Sequence, residues 1–159
     1  SIGIEINNPG HNFKYKKFTK KQIFSIIKLS KFLIKKYKIK STFILGHSDI
    51  APYRKSDPGE KFPWKYLSKH KIGYWHNLKR NYLLEKRKIK IDKKYELQFF
   101  KNLTKIGYQK NYNFFNKKNY KLITKAFQRR FRQELVNGIV DLECLLISKK
   151  ILKKINKIS

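Results

Sequence analysis

Pro52, Pro58 and Gly59 punctuate one polar stretch, Gly46-His47-Ser48-Asp49-Ile50-Ala51-Pro52-Tyr53-Arg54-Lys55-Ser56-Asp57-Pro58-Gly59. Neither a helix interior nor a central strand runs through residues placed like that, so the chain must bend here. A short apolar run, residues 42–45, precedes the stretch and reads as a strand. His47 is therefore expected where the chain leaves a sheet and polar side chains gather around a ligand. His47 and Asp57 stand ten positions apart in this punctuated segment, so the loop can fold back and let an imidazole and a carboxylate face one point. Both are zinc ligand types.

This stretch resembles the zinc-binding loop of bacterial N-acetylmuramoyl-L-alanine amidases of the amidase_2 type, relatives of the peptidoglycan recognition proteins. The resemblance extends to Ser1-Ile2-Gly3-Ile4-Glu5-Ile6 and Asn8-Pro9-Gly10 before it and to Phe62-Pro63-Trp64 and Gly73-Tyr74-Trp75 after it. Ala126-Phe127-Gln128-Arg129-Arg130-Phe131-Arg132 is similar to the second helix of the small peptidoglycan-binding domain that some of these amidases carry. The fold so implied is α/β, a sheet flanked by helices and incomplete at the amino terminus, followed by a small three-helix all-α domain. The corresponding division is an amidase portion over 1–78, a linker over 79–94 and a peptidoglycan-binding-like helical domain over 95–156.

The residues support that division in outline. Ile2, Ile4 and Ile6 alternate with Gly3 and Glu5, the pattern of a strand with one buried face. Thr19 followed by Gln22 is a capping-box pattern, and Ile23, Ile26, Ile27, Leu33, Ile34 and Tyr37 recur at helical spacing with lysines between them. This helix would connect the strands at 2–6 and 42–45 as a parallel crossover. Pro63 suits the first turn of a helix reaching Lys69, with Trp64 and Leu67 inward. Tyr74 and Trp75 would line a groove or cap the core, the core being preferred. Dense charge over 78–94 reads as the linker. Three further helices follow: Tyr95 to a Gly107 stop, Asn119 to Phe131, and one capped by Asp141 after the Gly138 turn.

Lysine and arginine number 40 against 10 Asp and Glu, a formal net charge of +30. That field attracts polyanions. Lysines nevertheless occur in every segment, beside abundant Ile, Asn, Phe and Tyr, so a solvated basic surface is preferred over a dedicated nucleic-acid site. Cys144, the only cysteine, excludes an internal disulfide and sits in an apolar helical pattern as a core residue. No apolar run reaches the length of a membrane span.

The resemblance assigns roles. His47 and Asp57 would hold Zn2+, Glu5 would hold or deprotonate the attacking water, and Lys55 would offset the developing oxyanion. From pattern alone Glu5 is a solvent-facing strand residue and Lys55 one lysine among many. Asp49 is expected to bond nearby backbone amides and fix the turn. His11, His70 and His76 are read as solvated residues rather than ligands. The implied activity is zinc-dependent hydrolysis of the amide between N-acetylmuramic acid and L-alanine in peptidoglycan or a muropeptide, by a monomer in the periplasm or at the outer membrane. The alternative is a non-catalytic peptidoglycan-binding protein or an inactive remnant. In the family the first zinc ligand is a histidine on a strand upstream of the Ser1-Ile2-Gly3 motif. The 159 residues are thus expected to be a fragment that alone binds zinc poorly and hydrolyses little.

Overall fold

Thr19 satisfies the first unpaired amides of a long helix: its hydroxyl accepts from the Gln22 N–H at 3.2 Å, and the Gln22 side chain accepts from the Thr19 N–H at 2.8 Å. That capping box starts α1, Lys20–Tyr37, which ends where Lys38 turns left-handed. The computed structural model describes residues 1–108 and 116–157. After α1 come α2 (His47–Ile50), α3 (Trp64–Lys69), α4 (Arg80–Arg87), α5 (Lys93–Ile106), α6 (Lys117–Phe131) and α7 (Leu142–Ile155).

No strand occurs among the described residues, and the α/β expectation is corrected accordingly: the architecture is helical, its one ladder contact an isolated antiparallel bridge between Lys90 and Asp141. The reason lies in where the backbone donors go. A period-two pattern makes a strand only when a neighbouring chain accepts its amides. The intended partner at 42–45 bonds to itself instead, Phe43 N–H to Lys40 C=O at 2.9 Å and Ile44 N–H to Ser41 C=O at 3.4 Å, which closes a 3₁₀ turn at Ser41–Phe43. Residues 1–10 carry no regular structure, and Ile2 and Ile4 are exposed rather than packed. The alternation of isoleucines was a true periodicity with no edge to join.

The helical expectations over the second half meet the structure closely. Asp92 caps α5 by accepting from Tyr95 N–H at 2.9 Å, and Gly107 ends it in the left-handed region. Asp141 caps α7 by accepting from Cys144 N–H at 2.9 Å. On α5 Leu97 is exposed, and Phe99, Phe100 and Leu103 are buried. Within 79–94, α4 buries Leu83 and packs on α7. α5 packs along α7, while α6 touches α2 and α3.

Phe127 of α6 lies at the centre of the core, edge-on to Phe99 with ring centres 5.1 Å apart and tilted against Phe131 at 5.2 Å. Cys144 is buried in the same cluster, and burial pushes its thiol pKa up to about 12. His76 is a second correction. It is buried, stacked on Trp75 with ring centres 4.8 Å apart, and accepts Leu78 N–H at its Nδ1 at 3.0 Å. Burial drives its pKa down to about 4, so it is a neutral core residue.

Charged side chains close the same body. Arg87 forms a two-pronged bond with Glu143, at 2.5 and 3.0 Å, and Arg132 bonds both Glu143, at 3.4 Å, and the capping Asp141. Gln128 holds the turn before α7, donating to Ile139 C=O at 2.9 Å and accepting from Gly138 N–H at 2.8 Å. Because Phe127 is fully enclosed, Phe127→Ala is expected to cost about 3–5 kcal/mol of stability, read as a lowered midpoint in urea unfolding with the slope unchanged.

Candidate functional site

The loop around His47 is shaped first by its own backbone. Asp49 accepts the Gly46 N–H at 2.8 Å, the expected turn-fixing bond, which starts the single turn of α2. Ser48 N–H then bonds Asp57 C=O at 2.9 Å, folding the far arm of the loop onto the near one. The result places His47 Nδ1 3.1 Å from Asp57 Oδ2, both side chains open to solvent. An imidazole and a carboxylate thus share one point at the surface, two of the donors a zinc ion takes. Among the described residues no group of three or more His, Cys, Asp or Glu side chains could hold a metal.

Glu5 and Lys55 are not drawn into this pair. Glu5 is exposed in the extended first segment, and Lys55 is half-buried, its backbone N–H bonded to Ala51 C=O at 3.0 Å. Among the described residues neither side chain makes a hydrogen bond or ion pair with His47 or Asp57.

Beneath the loop lies an anchor that sequence reasoning missed. Arg130, from the end of α6, is almost wholly buried and sends Nη1 to Asp49 Oδ2 at 3.2 Å and Nη2 to Ile44 C=O at 3.0 Å. Its guanidinium lies 3.4 Å from the centre of the Trp64 ring. Tyr108 donates to the other Asp49 oxygen at 2.9 Å, and burial holds that hydroxyl well above its ordinary range, so it stays a donor. Asp49 therefore accepts from a backbone amide, a guanidinium and a phenol, the saturation a buried carboxylate needs. Gly73 makes room for the arrangement: its φ is +70°, and a Cβ there would stand 2.8 Å from Arg130 Nη2. From the next turn, Gln133 donates to Phe62 C=O at 2.6 Å.

A second brace comes from the loop at 11–18. The Tyr15 hydroxyl donates to Pro58 C=O at 2.6 Å and accepts Lys61 N–H at 3.0 Å, while the Lys61 ammonium reaches the Tyr15 carbonyl. Gly59 lies under the ring with φ +78°, where a Cβ would meet the Tyr15 oxygen at 2.6 Å. His11, expected to be merely solvated, stacks on Tyr15 at 4.4 Å and bonds Glu60 at 2.9 Å. Burial raises the Tyr15 pKa to about 12, so its proton is held through the physiological range. Tyr15 and Pro58 are 43 positions apart, and nothing local in the sequence joins them.

Residues 1–60 match the family profile Amidase_2, N-acetylmuramoyl-L-alanine amidase. That span includes Glu5, His47, Lys55 and Asp57. N-acetylmuramoyl-L-alanine amidase AmiD of Escherichia coli (strain K12) is 36% identical over 162 residues, 97% of this chain and 57% of its own length. The 1,6-anhydro-N-acetylmuramyl-L-alanine amidase AmpD of Haemophilus influenzae is 43% identical over 70 residues, 43% of this chain and 36% of its own. Among solved structures, the complex of the E. coli AmiD with anhydro-N-acetylmuramic acid-L-Ala-D-gamma-Glu-L-Lys superposes with a TM-score of 0.79 at 33% identity, over 89% of this chain and 55% of that one. AmpDh3 of Pseudomonas aeruginosa gives 0.74 at 27% identity, over 89% and 56%. The chain thus spans little more than half the length of the relatives it matches along most of its own.

The Tyr15 brace yields a measurable expectation. Tyr15→Phe keeps the ring and leaves Pro58 C=O and Lys61 N–H without their partner, so it should cost about 1–3 kcal/mol in thermal or urea unfolding. A stability within about 0.3 kcal/mol of the parent would mean that water replaces the hydroxyl at no cost.

Proposed function

We propose that the loop serves zinc-dependent hydrolysis of the amide bond between N-acetylmuramic acid and L-alanine, with a peptidoglycan fragment as substrate. The observation that carries this reading is the meeting of His47 and Asp57 at 3.1 Å on an open loop, inside the residues that match the amidase profile. The AmiD complex, whose ligand is a muramyl peptide, supports the substrate class. His47 and Asp57 would hold the ion, which when bound polarises the scissile carbonyl and acidifies water.

The remaining roles fall to this chain's own groups. Glu5 offers an exposed carboxylate able to take a proton from the attacking water. Lys55 offers an ammonium to the charge that grows on the carbonyl oxygen, an interaction stronger in the transition state than in the ground state. The anchored Asp49 and the Tyr15 brace keep the loop ends in register so that His47 and Asp57 stay paired. The helical portion over 95–156 would hold the glycan, and the protein would work as a monomer in the periplasm or at the outer membrane.

A catalytic zinc takes three protein donors. The described residues bring two together, which favours weak zinc binding and little turnover by these 159 residues alone. The same observation supports a second reading, a protein that holds peptidoglycan without cutting it.

Calorimetric titration with zinc and chromatography of muropeptide digests separate the two. His47→Ala and Asp57→Ala should each weaken zinc binding by at least about tenfold, and Glu5→Gln should leave zinc affinity intact while removing whatever turnover the parent shows. Zinc binding untouched by either ligand substitution would place the metal elsewhere. Retention on sacculi, with no product at any zinc concentration, would favour the binder.

A further inference from the structure

Helix α1 uses one narrow face for the core. Ile26 and Ser30 are buried, and Ile23, Ile27 and Ile34 pack against the hydrophobic cluster. The opposite face carries Phe24, Lys28, Phe32 and Lys36 at successive i,i+4 positions, with Leu29, Lys21, Lys31 and Lys35 beside them. Phe24 is 70% exposed, Phe32 59% and Leu29 44%. The Lys36 ammonium lies 5.7 Å from the Phe32 ring centre, so charge and apolar surface share one strip.

The surrounding charge is one-sided. Residues 6–48 contain eleven lysines and no Asp, Glu or Arg. Phe24 also lines a groove of about 760 Å³ between α1 and the start of α3, together with the apolar Phe18, Ile23 and Ile27 and the cationic Lys17, Lys20 and Lys61. Glu60, the carboxylate among its lining residues, is engaged with His11.

From these features we infer that the outward face of α1 docks on an anionic phospholipid surface. Lysine stems bury along apolar material while their ammonium groups reach the phosphates, and Phe and Leu side chains enter the headgroup boundary. The groove lined by both lysines and apolar side chains fits a lipid, whose headgroup is charged and whose chain is not. A nucleic acid fits less well. The cations are lysines throughout, where two-pronged phosphate recognition uses arginine, and Leu29 has no ring on which a base could stack. Anionic bilayers attract clustered lysines near their surface and lose that attraction with salt.

Co-sedimentation of the 159-residue chain with vesicles tests the assignment. The chain should pellet with mixed phosphatidylglycerol and phosphatidylcholine vesicles, and not with phosphatidylcholine alone. Phe24→Ser with Phe32→Ser leaves the net charge unchanged and should weaken binding by about tenfold or more. Lys28→Glu with Lys35→Glu should do the same, while Lys150→Glu with Lys153→Glu on α7, an equal change in net charge, should stay within about twofold of the parent. All six positions are exposed, and circular dichroism verifies that each variant keeps its helices. The assignment is overturned if the double serine variant binds like the parent, or if the α7 reversal weakens binding as much as the α1 reversal, since net charge alone would then explain the attraction. It is overturned equally if vesicles are ignored and a single-stranded oligonucleotide is bound through the α1 lysines.

Discussion

A buried guanidinium from the second half of the chain holds the loop on which the proposed chemistry stands. Arg130 and Asp49 are 81 positions apart and almost completely removed from water. Removing two such charges from solvent is costly, and the arrangement survives because nearly every donor and acceptor has a partner: Asp49 takes three bonds, and Arg130 gives two while stacking on Trp64. One group is left over, the buried Arg130 Nε, which has no partner among the described residues. Two other long-range bonds reach the loop, from Tyr108 to Asp49 itself and from Tyr15 to Pro58. The Arg130 contact ties α2, the segment before it, α3 and α6 into one piece.

The consequence is a division of labour. Ser48, Pro58 and Tyr15 decide how the two arms of the loop approach each other, and the buried pair decides where the whole loop sits. Among the described residues His47 and Asp57 share no hydrogen bond or ion pair with Arg130; their proximity is inherited from the floor that positions the loop. That is the economy of placing reactive side chains on an exposed loop above a rigid base. It also gives α6 a part in the site. Without its last turn the loop would keep its local hydrogen bonds and lose its footing.

The features legible in the sequence were those that act over short distances. Thr19 and Gln22, Asp92, Gly107 and Asp141 announce helix ends because a cap bonds to an amide within three or four residues. The convergence of His47 and Asp57 was legible too, since the bend at Pro52 between them and the Pro58-Gly59 pair just beyond let the loop fold back on itself. The expected strands did not form, because a strand depends on a neighbour that its own residues do not specify, and residues 41–43 found local partners instead. The same limit hid Arg130, Tyr15 and Tyr108. Each is an unremarkable residue in its own segment, and its role is set by an atom many positions away. His76 shows the reverse: a histidine among lysines looks solvated, yet Trp75 and the chain beyond it enclose the ring.

The weight placed on the buried pair is open to direct measurement by a double-mutant cycle in urea, comparing Arg130→Met, Asp49→Asn and the combined variant. Each single change strands a group in the interior and should cost about 3–5 kcal/mol, and the combined variant should be well short of the sum because both stranded groups are gone. Strictly additive losses, or singles that cost less than about 1 kcal/mol, would show that the loop is held by something other than Arg130 and Asp49.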